Sequence, residues 1–313
     1  MAKFSKPLAV LFLSVLVPAP LAPKAFTAPR DAVLQVSGGD IDVALPEGPL
    51  GISQDELLNW VRSSAEIVAQ YYGRFPVRHL TLTIRSGGGS GIHHGVTYST
   101  GGGLIRITVG QNTGHPELNA DWVLIHEMFH LGFPSLDDKH DWLEEGLSTY
   151  LEPVARAQTG HLPVTEVWKQ FILDMPKGQP EAGDEGLDNT QTWGRTYWGG
   201  AIFCLVADVQ IREHTHNRKG LQDALRAIVN GGGVISSDWD IEKALATGDR
   251  ETGTNVLRNL YREMSRKPVS VDLDQLWRKL GMKFKDGAVT FDDKAPEAGI
   301  RRAITERRPS GQR

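Results

Sequence analysis

The chain has 313 residues, 40% of them hydrophobic and 23% charged, an ordinary globular composition with enough apolar material for one large domain or two lobes. A formal net charge of −4 removes the electrostatic case for a nucleic-acid partner. The single cysteine, Cys204, excludes an intramolecular disulfide, and its apolar setting in Ala201-Ile-Phe-Cys-Leu-Val-Ala207 marks it as a small buried hydrophobe.

At the N-terminus, Lys3 and Lys6 precede an apolar run from Pro7 to Val17 that is too short to span a membrane, and Pro18, Pro20 and Pro23 end it. Residues 1–28 therefore read as a secretory signal peptide. The expected location is exported, periplasmic or secreted, with no stable membrane insertion, and export without disulfides fits a bacterial envelope or secreted protein. Residues 29–50 are rich in Pro and Gly, with one alternating run, Ala32-Val-Leu-Gln-Val, that predicts a short strand. Ser53 to Tyr72 is an amphipathic helix with Ser53 and Glu56 at capping-box spacing and Leu57, Leu58, Val61, Ile67, Val68 and Tyr71 on its apolar face.

Val77 to Arg85 alternates as a strand. Gly87-Gly-Gly-Ser-Gly91 lacks the Gly-Lys-Ser/Thr of a phosphate loop and fails Gly-x-Ser-x-Gly, so Ser90 is no nucleophile. Gly95–Ser99 and Leu104–Val109 predict a hairpin turning at Gly101-Gly-Gly103.

The chain is organised around Asp121-Trp-Val-Leu-Ile-His-Glu-Met-Phe-His-Leu131. On a helix, His126 and His130 stand at i and i+4 on one face, where they chelate one metal without distorting the backbone. Glu127 lies beside them, placed as the general base of metal-assisted hydrolysis, and the donor types suit Zn²⁺. The spacing arises by chance in roughly one chain of this size in a hundred, so the next stretch matters. Trp142-Leu-Glu-Glu-Gly-Leu-Ser-Thr-Tyr-Leu151 predicts a second helix, one able to bring a third ligand. Glu144 and Glu145 are about 100° apart round a helix, so periodicity does not choose between them. Gly146, which permits close approach, slightly favours its neighbour Glu145.

Together, HExxH and the following Trp-x-x-Glu-Gly resemble the gluzincin metallopeptidases, in particular the peptidase MA-like group and the aminopeptidase N and glycyl aminopeptidase families. The resemblance implies Glu145 as the third zinc ligand. It implies that Gly95, Val96, Thr97 and Tyr98 form an edge strand that pairs with a peptide substrate, the family's amine-binding Glu falling on Tyr98. It also makes Tyr197, in Tyr-Trp-Gly-Gly-Ala201, a donor to the oxyanion; Gly199 stands where the family has Lys. No Asp or Glu occurs from Gly87 to Gln111, so a free substrate N-terminus is not expected to be required. His93-His94 and His214-Thr-His216 receive no role, and Asp121 is placed at the first turn of the zinc helix, where an acid suits the helix dipole.

Further helices are expected at roughly 141–157, 164–174, 195–213, 219–230, 239–246, 254–265 and 272–280. Residues 176–192 read as a loop near the cleft, either a mobile rim or a plain surface loop. Met282-Lys-Phe and Ala288-Val-Thr-Phe predict a small hairpin, and Arg301–Arg313 a solvated tail. The fold class is α+β: a thermolysin-like, two-lobed zinc peptidase with a small mixed sheet and helices in residues 29–138, a helical C-terminal lobe in 139–280, and a hairpin and polar tail in 281–313. The expected activity is zinc-dependent hydrolysis of exported peptides or proteins. A zinc amide hydrolase on a non-peptide substrate, or a non-catalytic binding protein on the same fold, are the alternatives, the second opposed by an intact Glu127.

Overall fold

A computed structural model of the protein describes residues 31–48 and 50–306; the expected signal peptide, 1–28, lies outside them. The first half of the chain builds a five-stranded mixed sheet. Strands β1 (Ala32–Val36) and β2 (Gly39–Ala44) form an antiparallel pair, helix α1 (Gln54–Tyr72) crosses over, and β3 (His79–Gly87) returns parallel to β2. Strand β4 (Ile92–Tyr98) then turns into β5 (Leu104–Gly110), which pairs parallel to β3, so the order is β1-β2-β3-β5-β4 and β4 is an edge. Alternation explains the sheet: Leu80, Leu82, Ile84, Ile105, Ile107 and Val109 are all buried against the helical layer. Helix α1 starts at the expected capping box, where Ser53 Oγ accepts from Glu56 N at 3.2 Å and Glu56 Oε2 accepts from Ser53 N at 2.8 Å. Leu57, Val61, Ile67, Val68 and Tyr71 are buried as the periodicity requires, with Leu58 at the margin.

After the short helix α2 (His115–Ala120) come α3 (Val123–His130), α4 (Asp141–Thr159), α5 (Val164–Asp174), α6 (Gly200–His214), α7 (Leu221–Asn230), α8 (Ile241–Thr252), α9 (Val256–Met264) and α10 (Leu273–Leu280). The expected hairpin is β6 (Met282–Lys285) with β7 (Ala288–Phe291). One apolar core runs from the sheet through the helices. Among the described residues no helix is long and apolar enough to cross a membrane.

Three expectations are corrected or narrowed. A second strand, β2, lies in the stretch read only as rich in Pro and Gly: Ile41 and Val43 alternate with Asp40 and Asp42 and are fully buried, and β1 and β3 pair with it on either side. The tail is not solvated over its first residues. Helix α11 (Ala298–Thr305) buries Ile300, Arg301, Ile304 and Thr305, and Arg301 donates through Nη1 to the carbonyls of Leu280 (2.9 Å) and Gly281 (3.1 Å), capping α10. Its charge signalled exposure, whereas its guanidinium is consumed by orphan carbonyls at a helix end. Residues 176–192 form a largely exposed loop that is pinned at its middle, which favours the plain surface loop. Leu187 N and Asp188 N donate to the carbonyls of Met264 (3.0 Å) and Ser265 (2.9 Å), and Asp184 is paired with Arg195 at 2.7 Å.

Candidate active site

Helix α3 is held so that only one of its faces is free. Asp121, just before its start, accepts from Val123 N (2.9 Å), Leu124 N (3.2 Å) and Trp60 Nε1 of α1 (3.2 Å), which caps the helix and ties its start to α1. Burial pushes the Asp121 carboxyl up, against the pull of those hydrogen bonds. Leu124, Ile125, Met128 and Phe129 are buried, and Phe129 packs edge-on to Tyr71 with ring centroids 5.5 Å apart. His126, Glu127 and His130 are thereby turned toward α4 and the edge strand β4, the two histidine rings 5.1 Å apart.

Helix α4 supplies the acids. Glu145 Oε2 lies 3.1 Å from His126 Nε2 and 3.5 Å from His130 Nε2. Glu144 points elsewhere and accepts from Leu136 N at 3.0 Å. The orientation is set by a close crossing of α4 and α6: a Cβ on Gly146 would stand 2.3 Å from Gly200 Cα, and one on Gly200 2.0 Å from Trp142 O. Only glycine at both positions permits that approach. The α3–α4 connection is also braced. Ser135 N donates to Ser237 O (3.0 Å), Trp239 N donates to Ser135 O (3.2 Å), and Asp188 gathers His140 Nδ1, Trp142 Nε1 and the Tyr261 hydroxyl, each at 2.9 Å. Burial would raise the Asp188 carboxyl, but these three donors hold it below the usual range.

Glu127 is fastened to β4. Thr97 Oγ1 donates to Glu127 Oε2 at 2.6 Å and to Glu127 O at 3.0 Å, while Oε1 makes no hydrogen bond among the described residues. Gly95 faces the same carboxylate: a Cβ there would meet Glu127 Cγ at 2.6 Å. Tyr197 arrives on a π-helical turn, Gly194–Gly199, that feeds α6, and its ring stacks on His126 at 6.3 Å and 23°. Burial, then the charges of Glu145 and Glu127, push its hydroxyl up to about 12, so it is a proton donor at neutral pH.

These groups line a cleft of about 400 Å³ that also takes in His94, Gly95, Val96, Thr97, Asp141 and Glu144. Tyr98 does not join them. Strand side chains alternate, so Tyr98 faces away from Thr97, and its 40%-exposed ring lies under the Arg106 guanidinium at 5.3 Å. Of the four strand residues expected to meet substrate, the cleft has the first three. His94, weighed in the sequence as a cleft residue but given no role, lines it, and the sequence reading misses Asp141 and Ile235; the only signal for Asp141 is its place one turn before Glu145.

The donor set fits zinc. Two ligands each 2.0–2.1 Å from a tetrahedral zinc are ~3.3 Å apart, and the 3.1 and 3.5 Å separations bracket that distance. All three ligand atoms lie within 4.8 Å of one another. The electrostatics agree. Burial would raise Glu145, but His126 and His130 hold its carboxyl far below the usual range. Burial would lower His130, but Glu145, Glu127 and Glu144 raise it. Asp141 is raised by burial and by the nearby Asp138 and Glu145, and Glu144 by burial against the Leu136 N–H.

No protein-family model matches the chain and no curated protein matches it in sequence. Its fold matches that of an aminopeptidase N family protein from Idiomarina loihiensis, with a TM-score of 0.61 at 12% identity over 80% of this chain and 49% of that one. The M1 zinc metallopeptidase from Deinococcus radiodurans aligns at a TM-score of 0.48 and 14% identity, over 77% of this chain and 52% of that one. The chain thus spans about half the length of the solved structures it resembles, and the shared feature is a mixed sheet with helices arranged as in those peptidase domains.

Proposed function

We propose that the protein is a zinc-dependent peptidase of gluzincin type, two-lobed in the thermolysin manner, acting on exported peptides or proteins. The observation that carries this reading is the meeting of His126 Nε2, His130 Nε2 and Glu145 Oε2 beside a Glu127 that Thr97 holds in place. Zinc held by those three groups supplies the Lewis acidity that polarises a carbonyl and activates water. Glu127 takes the proton of the attacking water on its free Oε1 and delivers it to the leaving nitrogen. Thr97 keeps the carboxylate aimed by donating to Oε2. The Tyr197 hydroxyl donates to the oxyanion as the carbonyl becomes tetrahedral. The open edge of β4, at Gly95, Val96 and Thr97, offers backbone groups to an extended peptide, a mode of recognition with little side-chain preference of its own. The hairpin brings no acid to hold a substrate's ammonium, so peptides with a blocked N-terminus are expected to be cut.

The test is a peptide library digested with and without chelator, alongside Glu127→Gln. Chelation should abolish cleavage and added zinc restore it. The variant should keep stoichiometric zinc and lose about 10²–10⁴-fold in kcat. A Glu127→Gln protein as active as the parent sinks the mechanism. Export is tested separately, by fractionating an expressing cell and sequencing the N-terminus of the mature protein.

A further inference from the structure

Resting on the role proposed for Tyr197, we propose that Arg195, held by Asp184, is the positioning residue that sets the Tyr197 hydroxyl beside the three ligands, with segment 178–188 as its foundation.

Tyr197 has little of its own to hold it. Its ring is half-buried and rests on two other rings, His126 at 6.3 Å and the 61%-exposed Trp193 at 6.0 Å. Its place therefore follows from the backbone of the π-helical turn Gly194–Gly199. Such turns are rare, occur mostly singly, and are frequent at functional sites.

Support for the turn comes from one neighbouring segment. Met175–Gly178 lies against it backbone to backbone: a Cβ on Gly178 would stand 2.2 Å from Trp198 C, and one on Gly194 2.3 Å from Lys177 O. Arg195 adds two contacts. Its Nη1 donates to Gly178 O at 2.6 Å, and its Nε stands 2.7 Å from Asp184 Oδ2, the two side chains 4% and 1% exposed. Asp184 is itself fixed, its Oδ1 accepting from Gly186 N at 2.8 Å. One turn further along the same segment, Asp188 gathers His140 and Trp142 at the start of α4, the helix that carries Glu145. One segment thus holds both the turn of Tyr197 and the helix of the third ligand, and fixes the distance between them.

As a source of stability the ion pair is poor. Desolvation of two buried charges offsets much of their attraction. The 2.7 Å contact is not aligned as a hydrogen bond, and Arg195 Nη2 has no acceptor among the described residues. Glu152–Arg156 and Asp208–Arg212 each stay within one helix, whereas Asp184–Arg195 ties two segments together. What it supplies is a single register of the π-turn on its neighbour. Neither residue lines the cleft, so Arg195 acts through Tyr197, two residues on. A donor to a developing oxyanion works only at a defined position, and ~1 Å of misplacement can cost up to ~10²-fold in rate.

The experiment combines Asp184→Asn/Arg195→Gln, which removes both charges together, with Tyr197→Phe in a four-protein cycle on one N-acetylated peptide. Zinc content, Tm, kcat and KM are measured on each zinc-loaded protein, and the parent and the charge-pair variant are crystallised. In the parent background the pair change should lower kcat about tenfold with KM nearly constant and zinc stoichiometric. In the Tyr197→Phe background the same change should cost less than about twofold. The crystals should show the Tyr197 ring displaced from His126 by about 1 Å. Arg195→Lys keeps the charge and loses the fork that reaches Gly178 O, and it should give the same pattern at smaller size. Equal losses of kcat in both backgrounds, or a Tyr197 ring unmoved in the variant crystals, overturns the proposal. Failure of both variants to fold also overturns it, since the pair is then needed for stability. If no peptide is cleaved, the peptidase reading falls and the crystals alone decide whether Arg195 places Tyr197. If Tyr197→Phe lowers kcat yet the two changes are additive, the peptidase reading stands and the positioning role falls.

Discussion

Helix α3 has a cavity on each side, and their polar groups are used in opposite ways. The cleft of about 400 Å³ holds Glu127, Asp141, Glu144 and Glu145 with no lysine or arginine among its described lining residues. The cavity of about 260 Å³ on the other side is lined by Trp60, His115, Asn119, Asp121, Arg156 and His161 among others. There the side chains satisfy one another. Trp60 donates to Asp121 (3.2 Å), Asn119 meets His115 (2.9 Å), His161 meets Thr159 (2.9 Å), and Arg156 donates to Glu152 (2.8 Å). A buried polar group with a partner in its own fold fastens helices together. In the cleft the pairs instead converge on one point, His126 and His130 on Glu145 with Thr97 on the adjoining Glu127, and the exposed Asp141 is left to solvent. On the proposed reading, chemistry lies on one side of α3 and stability on the other.

The largest break in that comparison comes from the three groups proposed to hold zinc. His126→Ala and His130→Ala should each lose stoichiometric zinc and all turnover, read by metal analysis of the dialysed protein. Glu145→Gln should weaken zinc far more than Glu144→Gln; the reverse order would hand the ligand role to Glu144. Next, Tyr197→Phe should cost ~10²-fold in kcat with KM nearly constant, because its hydroxyl is proposed to bind charge present only near the transition state. An unchanged kcat would return the residue to a packing role.

A smaller effect is expected from Gly95→Ala. The new methyl displaces Glu127, and a misplacement of about 1 Å can cost up to ~10²-fold in rate. About tenfold lower kcat with zinc retained is the expected result, and parental kcat would show that Glu127 is not held by β4.

The smallest concerns the opposite cavity. Burial raises Glu152 from 4.5 to about 7, against the pull of Arg156. The folded protein thus keeps a proton that the unfolded chain has released, so this group makes stability fall as pH rises from 4.5 to about 7. Glu152→Gln should flatten that slope, visible as a Tm difference of a few degrees between acid and neutral pH, with kcat/KM unchanged. A change in kcat/KM without a change in slope would show that the two sides of α3 are not separate.

Some of this was determined by the sequence alone, and those features are local. The capping box of α1, the alternation of β3 and β5, the β4–β5 hairpin and the i, i+4 relation of His126 and His130 depend on residues a few positions apart, which share a helix face or a strand face by covalent geometry. What lay beyond reach depends on distant parts of the chain. Glu144 and Glu145 are adjacent, and only the Gly146–Gly200 crossing and the Leu136 N–H decide which of them faces the histidines. The parallel pairing of β2 with β3 is set across the α1 crossover, and Arg301 of α11 is buried only because it meets the open end of α10. Asp188 and Asp141 look alike in the sequence. One is surrounded by three donors and the other by none, because packing, not residue type, decides which polar groups find partners.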